Sequence, residues 1–256
     1  MRTSKRYGWI PQRPDYRDRV FELPNLGPQG VPPSVDLSPF LPACYDQGQL
    51  GSCTANAIAG ALQFEMHKDT SLPLFMPSRL FIYYQEREIE GDTSSDNGAQ
   101  IRDGIKAVKD LGVPAESEWP YVIEQFSERP SDEAYISAGT FDAFTRKTIR
   151  YEAVDAHLVH LKACLASGYP FVFGMSVFES FESEQVAETG VVPMPGSNET
   201  MVGGHAVLCV GYDDAEEAFL VRNSWGSSWG IKQGHFWLPY AYISMISDCW
   251  KISLVG

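Results

Sequence analysis

The chain lacks any long apolar run: nothing in its 256 residues approaches the roughly 20 consecutive apolar positions that a membrane-spanning helix needs. No membrane span is expected. Positive charge is also short, with 20 Lys and Arg against 33 Asp and Glu and a formal net charge of −13. That balance argues against nucleic acid and against anionic membrane surfaces as partners. The five cysteines (Cys44, Cys53, Cys164, Cys209, Cys249) are widely spaced with no C-x-x-C pair, and none of the five histidines stands at ligand spacing from them. A structural zinc site is therefore not expected, and the odd count leaves at least one thiol outside any intrachain bridge. The basic N-terminus, Met1 to Trp9, has no apolar stretch behind it and does not read as a secretory signal. The expectation is a cytoplasmic chain, or one exported without a cleaved N-terminal signal.

What is present is an ordinary globular composition, 44% hydrophobic and 21% charged, with length for one large domain or two small ones. There is no internal repeat. Residues 1–33 form a segment of their own, rich in Pro and Gly and carrying Tyr7, Trp9, Ile10, Tyr16 and Phe21. Those aromatics are too apolar for a free tail, so an extended arm packed on the domain is expected. Residues 34–256 form the domain. Its first half, about 45–140, reads as helical: an apolar stripe follows Cys53, a second helix follows Pro77, and Ile101, Ile105, Val108 and Leu111 form a third that Gly112 ends. The second half, about 141–256, carries short β-prone runs at 171–177, 206–212, 218–222, 235–238 and 250–255, with one helix around Leu158, Leu161 and Leu165. Helices first and strands later describe an α+β chain with a cleft between two subdomains.

The most reactive position is the junction of the loop Gln47-Gly48-Gln49-Leu50-Gly51-Ser52 with the first helix. Cys53 falls in the first turn, where the positive end of the helix dipole favours a thiolate, and Ser52 is the expected N-cap. Gln47, six residues upstream, can return an amide donor toward the sulfur. A cysteine nucleophile needs a base, and usually a third group to orient that base. Of the five histidines His205 stands out, because Gly203-Gly204 precede it and an apolar strand follows. Asn223 ends another strand and can accept from one imidazole N–H, while Trp225 can lie over that bond and exclude water. Taken singly, each of these residues fits a structural role equally well.

Together, Gln47 with Gly51-Ser52-Cys53, then Gly204-His205-Ala206, then Asn223-Ser224-Trp225-Gly226, resemble the papain family of cysteine peptidases. The resemblance runs from about Val31 to the C-terminus and takes in Val35-Asp36 and Gly190-Val191-Val192. Asp46-Gln47-Gly48-Gln49-Leu50-Gly51-Ser52-Cys53 followed by Thr54-Ala55-Asn56-Ala57 is closer to bacterial-type members. It implies a papain-like fold in which a helical subdomain carrying the cysteine and a β-rich, barrel-like subdomain carrying His and Asn flank the cleft. It also implies peptide-bond hydrolysis through a Cys53 acyl-enzyme, with His205 as base and acid, Asn223 orienting it, and Gln47 in the oxyanion hole. A polypeptide substrate, no metal or organic cofactor, and a monomer are the matching expectations. Substrate contacts are expected from Gly98, Ala99, Gly204 and Trp225, with Gly98 lending backbone groups and the S2 pocket drawing on Gly204 and residues near Ile246.

Three departures stand out. The disulfide cysteine three residues before the nucleophile is Leu50, and its partner's loop is Asp96-Asn97-Gly98-Ala99. The aromatic residue after the nucleophile is Thr54, which predicts a smaller, more polar wall, and Ala99 narrows the approach. Members of the family are commonly made with an inhibitory prosegment. Residues 1–33 are far shorter and lack its helices, yet their aromatics and prolines point to an arm that partly covers the cleft. Other acyl transfers on proteins (transamidation or deamidation) and a non-catalytic peptide-binding module on the same fold are the alternatives.

Overall fold

The computed structural model describes residues 7–25, 30–69, 71–72, 74–141 and 147–256, so residues 1–6 and 26–29 of the arm lie outside the described residues. Strand β1 (Ser34–Asp36) opens the domain, and four helices follow: α1 (Cys53–Lys68), α2 (Arg79–Glu90), α3 (Ile101–Leu111) and α4 (Asp132–Gly139). Then come β2 (Thr148–Ala153), α5 (Leu158–Ala166), β3 (Phe171–Phe178), α6 (Glu184–Thr189), β4 (Met201–Asp213), β5 (Ala218–Arg222), β6 (His235–Pro239) and β7 (Ile246–Val255). Local chemistry sets several boundaries. Ser78 caps α2 by accepting from the Phe81 N–H, and Gly91 ends it at φ 81°, the left-handed conformation that glycine adopts without strain. α1 differs from the one-faced helix expected: every residue from Cys53 to Met66 is buried, because α2 and α3 pack on it from one side and β4 from the other.

The strands form one antiparallel sheet in the order β2-β7-β3-β4-β5-β6. β4 pairs with β3 over 201–209 and with β1 over 211–213, while β5 takes its other edge. The sheet is not closed into the barrel-like form that the family resemblance implies: β2 and β6 end the path, and no pairing among the described residues joins them. Both faces are buried. Val172, Ala206, Leu208, Val210 and Leu220 face the helix layer, while Phe171, Phe173, Val207, Cys209 and Val221 pack into a second core on the far side. This period-2 division explains why these strands read as continuous apolar runs. No helix among the described residues is long and apolar enough to cross a membrane.

Residues 7–25 run over the domain without a helix. Trp9 bridges to Ala99 and Val20 to Ala153, and Trp9 and Phe21 are buried. Arg102 of α3 holds the arm between them, with Nη1 on the Arg13 carbonyl (2.9 Å) and Nη2 on Asp18 (2.6 Å). Tyr16 does not anchor it. The ring is 98% exposed, because residues 16–18 turn away from the surface.

Candidate active site

Cys53 opens α1 and is 0% exposed. Ser52 precedes it but does not cap the helix through its side chain, because its ψ of 26° is not the extended value an N-cap requires. Its hydroxyl instead meets Tyr121 Oη at 2.5 Å, and the Asn56 amide reaches back to the Ser52 carbonyl (2.9 Å) and hydroxyl (3.0 Å). Asn56 is held in turn by Arg79 Nη1 at 3.0 Å, so the first turn is fixed from α2. The Ala206 N–H donates to Cys53 Sγ at 3.3 Å, which brings the start of β4 against the start of α1. The N–H groups of Gly8 and Thr54 also act on the sulfur. Burial outweighs these donors and pushes the thiol up to about 12, so in this covered state the sulfur is protonated, not the thiolate that the helix dipole alone would favour.

His205 lies next to Ala206 on β4 and is also 0% exposed. Its Nε2 is 2.8 Å from Asn223 Oδ1. The same oxygen accepts from the Ser224 N–H at 2.8 Å, so it is an acceptor and the imidazole must donate to it. That leaves Nδ1 as the basic nitrogen. Trp225 lies over the imidazole with ring centroids 5.2 Å apart and planes 30° from parallel. Gln47 is fully buried. Ser224 Oγ donates to its Oε1 (2.5 Å) and its Nε2 donates to the Leu50 carbonyl (2.9 Å), which fixes the amide with its nitrogen toward the loop that precedes Cys53.

The groove above Cys53 holds the arm. The Trp9 N–H donates to the Gly204 carbonyl (3.0 Å), the Ala99 N–H to the Gly8 carbonyl (2.7 Å), and the Ile10 N–H to the Ala99 carbonyl (3.0 Å). Ala99, not Gly98, supplies the paired backbone groups. Gly98 instead allows the close approach: a Cβ on it would stand 2.1 Å from the Gly8 oxygen. The Tyr7 ring meets His205 edge-on at 5.8 Å, lies 6.1 Å from Trp225, and its hydroxyl donates to Glu182 at 2.6 Å. Thus Gly98, Ala99, Gly204 and Trp225 all border one groove.

Comparisons with known proteins bear on this geometry. The family model described as papain family cysteine protease matches residues 31–245. The chain belongs to the papain family of cysteine proteases. It is a cysteine-type peptidase, of a family that acts on polypeptides. A peptidase C1-like protein of Acanthamoeba polyphaga mimivirus is 42% identical over 98% of this chain and 88% of its own length. Cathepsin K of Gallus gallus is 27% identical over 73% of this chain and 52% of its own length. The crystal structure of xylellain, a cysteine protease from Xylella fastidiosa, superposes with a TM-score of 0.91 at 45% identity, covering 100% of this chain and 99% of that one.

Two departures from the papain family pattern acquire a physical account. At the position of the missing disulfide, Asp96 accepts from the Gly51 N–H (2.9 and 3.2 Å) and from the Tyr83 hydroxyl (2.5 Å), so hydrogen bonds staple the two loops. Thr54 does not form a wall of the cleft. It is fully buried, and its hydroxyl bonds to Glu86 of α2 behind Cys53. Ser224, Asn56, Asp96 and Glu86 were not read from the sequence as site residues. Ser224 had a signal in its place between Asn223 and Trp225, and Asp96 in its place in the loop of the missing disulfide. All five cysteines are free thiols.

Proposed function

We propose that the chain hydrolyses peptide bonds through a Cys53 acyl-enzyme, within a catalytic domain spanning residues 34–256. The observation that carries this reading is the His205 Nε2 to Asn223 Oδ1 bond of 2.8 Å beside a sulfur that receives the Ala206 N–H. With the groove open, water reaches the sulfur, burial no longer opposes the charge, and His205 Nδ1 takes the thiol proton. The thiolate adds to the scissile carbonyl. Backbone N–H of Cys53 and the Gln47 amide bind the oxyanion, a contribution of roughly 3 kcal/mol per donor. The imidazolium protonates the leaving amine, and the neutral ring then deprotonates a water that releases the acid and the thiol. Asn223 and Trp225 keep the ring in one tautomer and out of water.

The arm is read as an intramolecular cover. It lies across the groove with the Gly8 carbonyl on Ala99 and the Gly8 N–H toward Cys53 Sγ. A substrate must present its carbonyl carbon to the sulfur. This strand presents a donor there, so it blocks the groove without being positioned for cleavage.

The test is the pH profile of Cys53 alkylation by iodoacetamide. The covered form holds the thiol protonated, so the cover both lowers the rate and moves its acidic limb to higher pH, and the profile is read on the chain lacking residues 1–30, with and without His205→Ala. A labelling limb at acidic pH that vanishes in His205→Ala supports the ion pair; a profile rising only in the ordinary thiol range in both proteins refutes the nucleophile assignment. Deleting residues 1–30 should raise the whole profile, and an unchanged profile in a folded truncation reduces the arm to a strap.

A further inference from the structure

One directed chain of hydrogen bonds holds the backbone behind both oxyanion donors. The Cys53 N–H belongs to the Ser52–Cys53 peptide unit, which is planar, so whatever holds the Ser52 carbonyl also aims that N–H. The Asn56 backbone N–H (3.0 Å) and its side-chain amide (2.9 Å) both donate to that carbonyl. Asn56 is oriented in turn by Arg79, whose Nη1 donates to its Oδ1 at 3.0 Å. The Asn56 amide also donates to Ser52 Oγ at 3.0 Å, and from there the chain leaves the helix. Ser52 Oγ lies 2.5 Å from Tyr121 Oη, and Tyr121 Oη lies 3.0 Å from the Gln47 carbonyl. A carbonyl only accepts and a phenol has one proton to give, so Tyr121 donates to Gln47 and Ser52 donates to Tyr121. Every proton in the chain points from Arg79 toward Gln47.

Tyr121 comes from outside the helices that carry the other members. It follows α3 in a loop whose Glu116 grips Arg79 through both carboxylate oxygens (2.7 and 2.8 Å), and the Arg79 guanidinium lies 4.0 Å from the centre of the Tyr121 ring. The ring is therefore placed by contacts that do not involve its hydroxyl. Burial pushes that hydroxyl up to about 12, so it stays protonated and a donor in neutral solution. Within its own loop the Gln47 carbonyl takes the Leu50 N–H at a long 3.4 Å, and the phenol supplies the shorter anchor. We propose that Tyr121 is a positioning residue of the oxyanion hole: its hydroxyl anchors the backbone from which the Gln47 amide projects, and ties that amide to the turn that aims the Cys53 N–H. Such a hole works because its donors are in place before the charge develops, and small displacements of them are costly. Hydrogen bonds that run in one direction also strengthen one another. This inference rests on the peptidase reading and adds a residue to it.

The test compares two reactions of the full chain at one pH. Hydrolysis of fluorescein-labelled, unfolded casein far below KM reads kcat/KM and needs the oxyanion hole. Alkylation of Cys53 by iodoacetamide displaces iodide from a methylene carbon, builds no oxyanion, and needs only an open groove and a reactive thiolate. The open fraction of the groove therefore cancels from the ratio of the two rates. Tyr121→Phe removes one hydroxyl and keeps the ring on Arg79. It should lower kcat/KM about tenfold while alkylation stays within about twofold, which also shows that the variant is folded. Gln47→Ala should lose about a hundredfold or more, and adding Tyr121→Phe to it should cost less than about twofold, because no amide is left to position. A merely structural tyrosine would not show that dependence on Gln47. Ser52→Ala cuts the chain one link earlier, spares Tyr121, and should repeat the pattern with a smaller fall. Wild-type hydrolysis in either variant, equal falls in hydrolysis and alkylation, or a cost that persists undiminished in Gln47→Ala overturns the inference and leaves Tyr121 a support of the fold. A wild type that cleaves no casein overturns the peptidase reading instead.

Discussion

At the scale of single residues, the group with most leverage outside the groove is Glu86. It is fully buried behind Thr54, Oε1 takes the Thr54 hydroxyl, and Oε2 has no partner among the described residues. Burial holds its carboxyl well above the usual carboxylate range. A neutral carboxyl adds no negative charge behind Cys53, where a charged one would oppose the thiolate. The linkage has a definite sign. A carboxyl whose folded pKa is raised contributes stability that is complete below its unfolded pKa and is lost as pH rises toward the folded value. Wild-type stability should therefore fall between about pH 5 and pH 8, and Glu86→Gln should flatten that slope. Urea melts at the two pH values read it out; equal slopes in both proteins would mean the carboxylate is charged in the fold. The same residue shows where sequence reading stops. Cys53, His205 and Asn223 were legible because each adjoins a turn, a glycine pair or a strand end. Glu86 carries no such mark, since which polar residues a helix pair buries depends on how the helices pack. Thr54 illustrates this, being expected in the cleft wall and found in the core.

At the scale of elements, the stripe of α3 and its end at Gly112 were legible, while the cap and all-round burial of α1 and the strand pairing were not. The start of β4 was missed because Gly203 and Gly204 give no strand signal, and β2 because its exposure does not alternate cleanly. Whether a sheet closes is decided by how far one strand serves several partners, which here is β4. Two interior helical glycines separate propensity from packing. Replacing either by Ala gains about 1 kcal/mol of helix propensity. A Cβ on Gly60 of α1 would meet Leu208 Cδ2 at 3.4 Å and Arg222 Nε at 3.7 Å, ordinary contact with the sheet. A Cβ on Gly104 of α3 would meet Glu86 Oε2 at 2.4 Å and Ile58 Cδ1 at 2.6 Å. Gly60→Ala should be neutral to stabilising, whereas Gly104→Ala should cost about 1–3 kcal/mol through overpacking. Denaturant midpoints decide it: equal shifts in the two variants would mean that α3 can move off α2 freely.

At the scale of the whole molecule, the proposed cover makes the arm and a substrate rivals for one groove, and one methyl group should tip the balance. A Cβ on Gly8 would stand 1.7 Å from the Gly51 carbonyl oxygen, part of the rigid turn before Cys53, so Gly8→Ala cannot seat in this register. The domain from Ser34 onward loses no contact of its own, which separates this variant from any substitution within the groove. If the covered form predominates, the apparent affinity for substrate is reduced by the small open fraction, and releasing the cover restores it. Gly8→Ala should therefore lower KM about tenfold or more and leave kcat within about twofold, because the open enzyme is the same in both proteins. Cys53 alkylation should accelerate by the same factor. Tyr16→Ala, at the exposed turn of the arm, serves as the control and should change neither. A change in kcat at constant KM would mean that the arm acts on the chemical step. Wild-type KM and labelling in Gly8→Ala would mean that access to Cys53 is not limited by the arm at all.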